Sequence, residues 1–193
     1  MRIRNVFASV LIAGVLAQPT PAQEKDKPMP ETSALYSFTM NSIDGKPVPL
    51  SSYKGNVLLI VNVASFCGYT PQYEDIEEVY EKFKEKGLRV LAFPANNFGN
   101  QEPGTDQEIK EFCSLKYDVS FDLFSKISVK GPNQHPLYRY ITTESPVPGE
   151  VKWNFQKYLV DRKGKLVAMF PTKVKPTDDE FIEKLEALLA EKP

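Results

Sequence analysis

The sequence contains few residues of the kinds that bind metals or exchange disulfides. Its 193 residues include one histidine, one tryptophan and two cysteines. The cysteines, Cys67 and Cys113, lie 46 positions apart, and the residue three after Cys67 is Thr70, so no Cys-X-X-Cys motif is present. A dithiol reductase uses that motif, and a copper chaperone needs closely spaced cysteines with a histidine. The scarcity argues against both classes, and we expect no metal and no cofactor.

Long runs of one charge are also missing. The chain has 24 basic and 25 acidic residues, and they are interspersed. A nucleic-acid-binding surface usually shows a basic block or a basic helix face. We therefore expect no nucleic-acid partner.

The N-terminal segment has the pattern of an export signal. Two arginines are followed by a short apolar run, which is too short to span a bilayer comfortably, and small residues suitable for cleavage lie near position 22. We predict a signal peptide over residues 1–22, a disordered linker over 23–33 and one domain over 34–193. The protein is then exported, periplasmic or secreted, with no stable membrane insertion after cleavage.

The hydrophobic pattern of the domain alternates between strands and helices. Residues 57–63 and 89–93 are apolar runs typical of buried strands, and residues 70–86 between them have helical spacing, with Thr70 as a candidate cap. Further along, a second helix over 105–116, a hairpin of 155–160 with 166–170 and a closing helix over 177–190 are predicted. The order β-α-β-α-β-β-α predicts an α/β protein with a thioredoxin-like fold, in which helices flank a central mixed sheet.

Cys67 stands where the first central strand gives way to a helix. A thiol reacts as its thiolate, and the start of a helix offers free N–H groups and a positive dipole end. The same donors stabilise charge that develops on a peroxide oxygen, and Gly68 would allow a close backbone approach. Attack on a peroxide would convert Cys67 into a sulfenic acid.

Four segments resemble the glutathione peroxidase family. The first is Asn-Val-Ala-Ser-Phe-Cys-Gly-Tyr-Thr-Pro-Gln-Tyr at 62–73, and the others are Phe-Pro-Ala-Asn-Asn-Phe-Gly-Asn-Gln-Glu-Pro-Gly at 93–104, His-Pro-Leu-Tyr at 135–138 and Trp-Asn-Phe at 153–155. The resemblance implies a thiol peroxidase that reduces hydrogen peroxide or organic hydroperoxides. It also implies that a Gln, a Trp and an Asn surround the reactive cysteine. These map onto Asn97, with Gln101 as a weaker substitute, and onto Trp153 and Asn154.

The resemblance further assigns Cys113 as the resolving cysteine of the two-cysteine, thioredoxin-dependent type. A redox-active disulfide with Cys67 would then be reduced by a thioredoxin-like protein, while glutathione is the other candidate reductant. The short connection between 138 and 153 lacks the insertion of tetrameric relatives, so we expect a monomer. A peroxide sensor that relays its oxidation to a partner, and an exported thiol-disulfide oxidoreductase, remain alternative functions. His135, followed by Pro136, is interpreted as a structural helix start.

Overall fold

The computed structural model of the protein describes residues 33–192. Within that range the strands are β1 (Thr39–Asn41), β2 (Pro47–Pro49), β3 (Val57–Val63), β4 (Leu88–Pro94), β5 (Asp122–Leu123), β6 (Lys157–Val160) and β7 (Leu166–Phe170). The α-helices are α1 (Gln72–Phe83), α2 (Asp106–Tyr117), α3 (Pro136–Arg139) and α4 (Asp179–Ala190). Short 3-10 turns at Ala34–Ser37, Leu50–Tyr53 and Lys84–Lys86, and a π turn at Tyr140–Glu144, complete the regular structure of this range.

The central sheet has five strands in the order β5-β4-β3-β6-β7. Strands β3, β4 and β5 run parallel, and β6 and β7 form an antiparallel hairpin beside β3. The predicted thioredoxin-like arrangement with a mixed sheet is therefore confirmed. The sequence did not predict the separate β1–β2 hairpin, because Pro47 and Pro49 interrupt the usual strand pattern.

The core lies on both faces of this sheet. Every residue of β3 is buried, which is why its sequence is continuously apolar rather than alternating. Successive side chains point to opposite faces, so Leu59 and Val61 pack with α1 and α4, whereas Leu58 and Ile60 pack with α3 and the N-terminal segments. The sheet thus holds the end of β3 rigidly in the centre of the molecule.

Most predicted helix ends agree with the structure, and one does not. After α1 a 3-10 turn ends at Gly87, whose φ of 97° suits glycine. Thr105 and Glu108 form a capping box at the start of α2, in agreement with the helix predicted over 105–116. The prediction that Thr70 caps α1 is wrong, because the helix begins after Pro71 without a side-chain cap and the Thr70 hydroxyl is bonded elsewhere. His135 caps α3 through Nδ1 and the Leu137 N–H.

The predictions for the N-terminal region lie outside the described residues. These are the signal peptide over 1–22 and the linker over 23–33, of which the structure describes Ser33 alone. Across residues 33–192, no helix has the length and apolar character needed to cross a membrane.

Candidate active site

Cys67 lies in the loop that connects the end of β3 to the start of α1. The Thr70 hydroxyl accepts a hydrogen bond from the Cys67 N–H at 2.9 Å and donates one to the Ala64 carbonyl at 2.8 Å, which fixes the loop. The Tyr69 N–H donates to Cys67 Sγ at 3.4 Å. A backbone donor of this kind favours negative charge on the sulfur. Gly68 faces open space, where a Cβ would meet no atom within 4 Å, so no close approach within the protein requires it.

The same strand also holds the segment that contains Trp153 and Asn154. Asn62 in β3 donates from Nδ2 to the Trp153 carbonyl at 3.0 Å, and the backbone carbonyl of Asn62 accepts from the Phe155 N–H at 2.6 Å. Because Asn62 precedes Cys67 by five positions, one strand end positions both parts of the site.

Gln101 joins these two parts. Its Oε1 accepts a hydrogen bond from Asn154 Nδ2 at 2.9 Å, and its backbone carbonyl accepts from the Phe66 N–H at 3.0 Å. The chain reverses just before it, with left-handed φ values of 62° at Gly99 and 52° at Asn100. This reversal brings the Gln101 amide beside Asn154 and beside the residue that precedes Cys67.

Asn97 is not brought to this cluster. Its Nδ2 donates to Ser128 Oγ at 2.9 Å and to the Lys130 carbonyl at 3.2 Å, and its Oδ1 accepts from the Val129 N–H at 2.8 Å. Asn97 therefore secures a neighbouring loop. The amide that contacts Asn154 belongs to Gln101, which follows the left-handed turn at 99–100.

Trp153 forms one wall of an open cleft. Its side chain is 38% exposed, and its ring lies 5.5 Å from that of Phe98 between centroids. The cleft has a volume of about 460 Å³, and it is lined by Tyr69, Lys152, Trp153, Gln156, Pro171, Thr172 and Lys173. Since Tyr69 also contacts Cys67, this cleft borders the Cys67 loop.

Cys113 is fully buried in α2, and both cysteines are in the free thiol form. Burial raises the pKa of the Cys113 thiol to about 11, with the Glu102 carboxyl adding to the rise. The rings of Phe66 and Phe112, each adjacent to one of the cysteines, lie 6.3 Å apart between centroids. The structure thus brings the loop of Cys67 close to the helix of Cys113 without a bond between the sulfurs.

Sequence reasoning missed two buried charged groups near the site. Glu102 is buried beside Ser65, and burial raises the pKa of its carboxyl group. Lys157 is buried in β6. The sequence contained a hint that Lys157 is buried, because it stands two residues from both Phe155 and Leu159 and so shares their face of the sheet.

The chemistry of the cluster is that of a thiol whose loop is hydrogen-bonded to a segment with neutral donors. The Asn154 amide and the Trp153 indole carry no formal charge and donate hydrogen bonds. Among residues 33–192, no group of three or more His, Cys, Asp or Glu side chains is arranged to hold a metal ion.

Comparison with known proteins gives consistent results. The family profile described as "Glutathione peroxidase" matches residues 35–142. The chain is 47% identical over 165 residues to the "Hydroperoxy fatty acid reductase gpx1" of Synechocystis sp., which covers 81% of this chain and 96% of that protein. It is 43% identical over 162 residues to the "Glutathione peroxidase-like peroxiredoxin HYR1" of Saccharomyces cerevisiae, covering 82% of this chain and 98% of that protein.

A solved structure agrees with both sequence relatives. The crystal structure of GPX1 from T. cruzi superposes with a TM-score of 0.61 at 38% identity and covers 81% of this chain and 97% of that chain. The family profile spans more than half of this chain, and the relatives match over nearly their whole length. The chain therefore belongs to the glutathione peroxidase family, and it is a thiol peroxidase that reduces hydroperoxides.

Proposed function

We propose that the peroxidase reaction is a two-cysteine cycle in which Cys67 attacks the hydroperoxide and Cys113 resolves the product. The observation that carries the first half is the hydrogen bond from the Tyr69 N–H to Cys67 Sγ, in a loop bonded to the same cluster as Asn154 and Gln101. The bond to the sulfur and the link between the loop and Asn154 support a thiol that reacts beside neutral amide and indole donors.

In the first step the Cys67 thiolate attacks one peroxide oxygen and the O–O bond breaks. The sulfur becomes a sulfenic acid, and the departing oxygen takes a proton and leaves as water or an alcohol. Trp153, Asn154 and the Gln101 amide are the donors that stabilise the departing oxygen. Asn97, the residue first assigned to the amide role, keeps only its contacts to the 128–130 loop in this scheme.

In the second step the Cys113 thiolate attacks the sulfenic sulfur, so that an S–S bond forms and the S–O bond breaks. The oxygen takes up the proton that the Cys113 thiol gave up and leaves as water. We propose that Cys113 leaves its buried position first, so that its Cα can come within about 4.4–6.8 Å of that of Cys67, as a disulfide requires. Helix α2 is suited to local opening, since Ile109 and Cys113 are its buried residues, whereas α1 buries five.

In the third step an external thiol reductant returns both cysteines to the reduced form. We propose a thioredoxin-like dithiol for this role, because it exchanges directly with a protein disulfide. We also propose that the enzyme acts as a monomer, and that it is exported after removal of residues 1–22.

The test compares hydrogen peroxide turnover by the mature protein with a thioredoxin system and with glutathione. Faster turnover with thioredoxin supports the two-cysteine cycle, and faster turnover with glutathione assigns Cys113 a structural role. No turnover with either donor, together with oxidation of Cys67, would favour a sensor that passes its oxidation to a partner.

Three variants separate the steps. Cys67→Ser should lose all turnover, and Cys113→Ser should keep the first oxidation but lose recycling by thioredoxin. Ser114→Ala, an exposed neighbour in the same helix turn, is the matched control and should behave as the wild type.

Export is tested by fractionating cells that express the chain with and without residues 1–22. The monomeric state is tested by measuring the molar mass in solution by light scattering.

A further inference from the structure

Lys157 is a charged residue in the apolar core. It lies in β6 between β3 and β7, opposite Val61 and Phe170, and none of its surface is exposed. Its face of the sheet is the one covered by α1 and α4. Burying an ammonium group is costly unless its donors are satisfied. The hydrogen-bond partners of the Lys157 ammonium group therefore have to offset the cost of its burial.

The ammonium group donates to two neutral oxygens. Its Nζ lies 2.7 Å from Gln72 Oε1 and 2.8 Å from the Phe155 carbonyl. Of the ion pairs in the described part of the chain, none includes Lys157. Its contacts are therefore directed at the first turn of α1 and at the peptide that follows Phe155.

Phe155 has a backbone conformation that bulky residues rarely adopt. Its φ is 60°, in the left-handed region, which costs about 1–3 kcal/mol for a residue with a side chain. Two hydrogen bonds hold it there: its N–H donates to the Asn62 carbonyl at 2.6 Å, and its carbonyl accepts from Lys157. This turn sets the direction of Trp153 and Asn154.

A second chain of hydrogen bonds leads from Lys157 to the same residues. Gln72, which accepts from Lys157, donates from Nε2 to the Thr172 carbonyl at 2.7 Å. The Thr172 hydroxyl donates to the Asn154 carbonyl at 2.7 Å. Lys157 is thus linked to the Asn154 backbone by two routes, one through Phe155 and one through Gln72 and Thr172.

We propose that Lys157 is a positioning residue, which holds Trp153 and Asn154 beside Cys67 through the left-handed Phe155 peptide and through the Gln72–Thr172 hydrogen bonds. This inference deepens the proposed function and rests on it for the assignment of Trp153 and Asn154.

Charged groups around Lys157 make the arrangement sensitive to pH. Burial lowers the pKa of Lys157 to about 7, and Asp178 at the start of α4 and Asp75 in α1 oppose the shift. Asp75 is itself shared with Lys175 Nζ at 3.5 Å. Tyr73 in α1 packs edge-on against Phe155, and burial keeps its pKa well above the usual range. Lys157 therefore loses its charge at about pH 7.

The first arm of the test measures the rate constant for oxidation of Cys67 by hydrogen peroxide. Lys157→Met should lower it by about 10-fold or more, because small misplacements of catalytic groups have effects of that size. Gln72→Met removes the second route and one of the two acceptors of Lys157, but it keeps the lysine and its bond to the Phe155 carbonyl, and it should lower the rate constant in the same direction. Lys163→Met, the same substitution in the exposed hairpin turn, is the control and should leave the rate unchanged.

The second arm observes Trp153 directly. The chain has a single tryptophan, so acrylamide quenching of its fluorescence reports on this segment alone. In Cys67→Ser protein, which removes the thiol titration, quenching should increase from pH 6 to pH 8 with a midpoint at about 7. In the Cys67→Ser, Lys157→Met double variant it should be higher throughout and independent of pH.

The outcomes distinguish this inference from the function on which it rests. A folded Lys157→Met protein with wild-type oxidation rate and unchanged quenching would overturn the inference, and so would a quenching midpoint that persists without Lys157. If Lys157→Met does not fold, Gln72→Met decides the question by the same two measurements. If wild-type Cys67 is not oxidised by peroxide, the proposed function fails, while the fluorescence comparison still tests the positioning role.

Discussion

The pH dependence of disulfide formation tests whether α2 opens before Cys113 reacts. The buried thiol has a pKa of about 11, against an ordinary value of 9.0. At pH 7 the thiolate fraction is therefore about 10⁻⁴ in the buried state and about 10⁻² in an opened helix, a difference of about 2.7 kcal/mol. If α2 opens first, the rate should rise with pH and level off near 9. If the buried thiol attacks directly, the rise should continue to about 11.

The assay is a single turnover. Reduced protein is mixed with one equivalent of hydrogen peroxide at pH values from 6 to 10.5, quenched with an alkylating agent at increasing times and analysed for free thiol and disulfide by mass spectrometry. The Cys113→Ser protein, followed in the same way, supplies the rate of the first oxidation at each pH. A disulfide rate that still increases tenfold per pH unit above 9 would refute local opening as the route.

Three further predictions concern other parts of the molecule. Thr105→Ala removes the α2 capping box, which stabilises the helix by about 1 kcal/mol, so disulfide formation in the single-turnover assay should accelerate by up to about five-fold. The rate of the first oxidation should not change, and an unchanged disulfide rate would count against opening of the whole helix. Gln101→Leu should slow Cys67 oxidation by about 10²-fold in stopped-flow measurements, whereas Asn97→Ala should leave it nearly unchanged, and the reverse order would restore Asn97 to the site. Because the folded-state pKa of Lys157 is lowered to about 7, the unfolded state binds more protons than the folded state above that pH. The free energy of unfolding, measured with urea, should therefore increase by about 1–2 kcal/mol from pH 7 to 8.5. Lys157→Met should abolish this increase, and an increase that persists in the variant would assign it to another group.

The architecture was largely readable from the sequence because its signals are local. The continuous apolar run of β3, the glycine at the end of α1 and the Thr105–Glu108 capping box each determine structure within a few residues. The hairpin of β6 and β7 was also predicted, although it begins at Lys157 rather than at Phe155. Phe155 is excluded from the strand because its φ of 60° lies outside the β region.

The candidate site was harder to predict because it depends on contacts between distant segments. The order of amide residues in 97–101 does not reveal which one meets Asn154, since that is decided by the left-handed turn at 99–100. The role of Thr70 was misread for a similar reason: its hydroxyl oxygen accepts from the Cys67 N–H instead of from an N–H of α1, and its proton is donated to the Ala64 carbonyl. Composition favours a polar cap at such a position, but only the folded loop shows where its hydroxyl points.

The double role of Asn62 has a consequence for how the enzyme fails on heating. The side-chain amide and the backbone carbonyl of Asn62 hold the Trp153–Phe155 turn, and the same strand leads into the Cys67 loop. Fraying at this one strand end would separate nucleophile and donors together, so thermal inactivation should be a single event rather than a gradual decline. The fraction of molecules that react rapidly with peroxide would then serve as a direct count of intact protein in a stored or heated preparation.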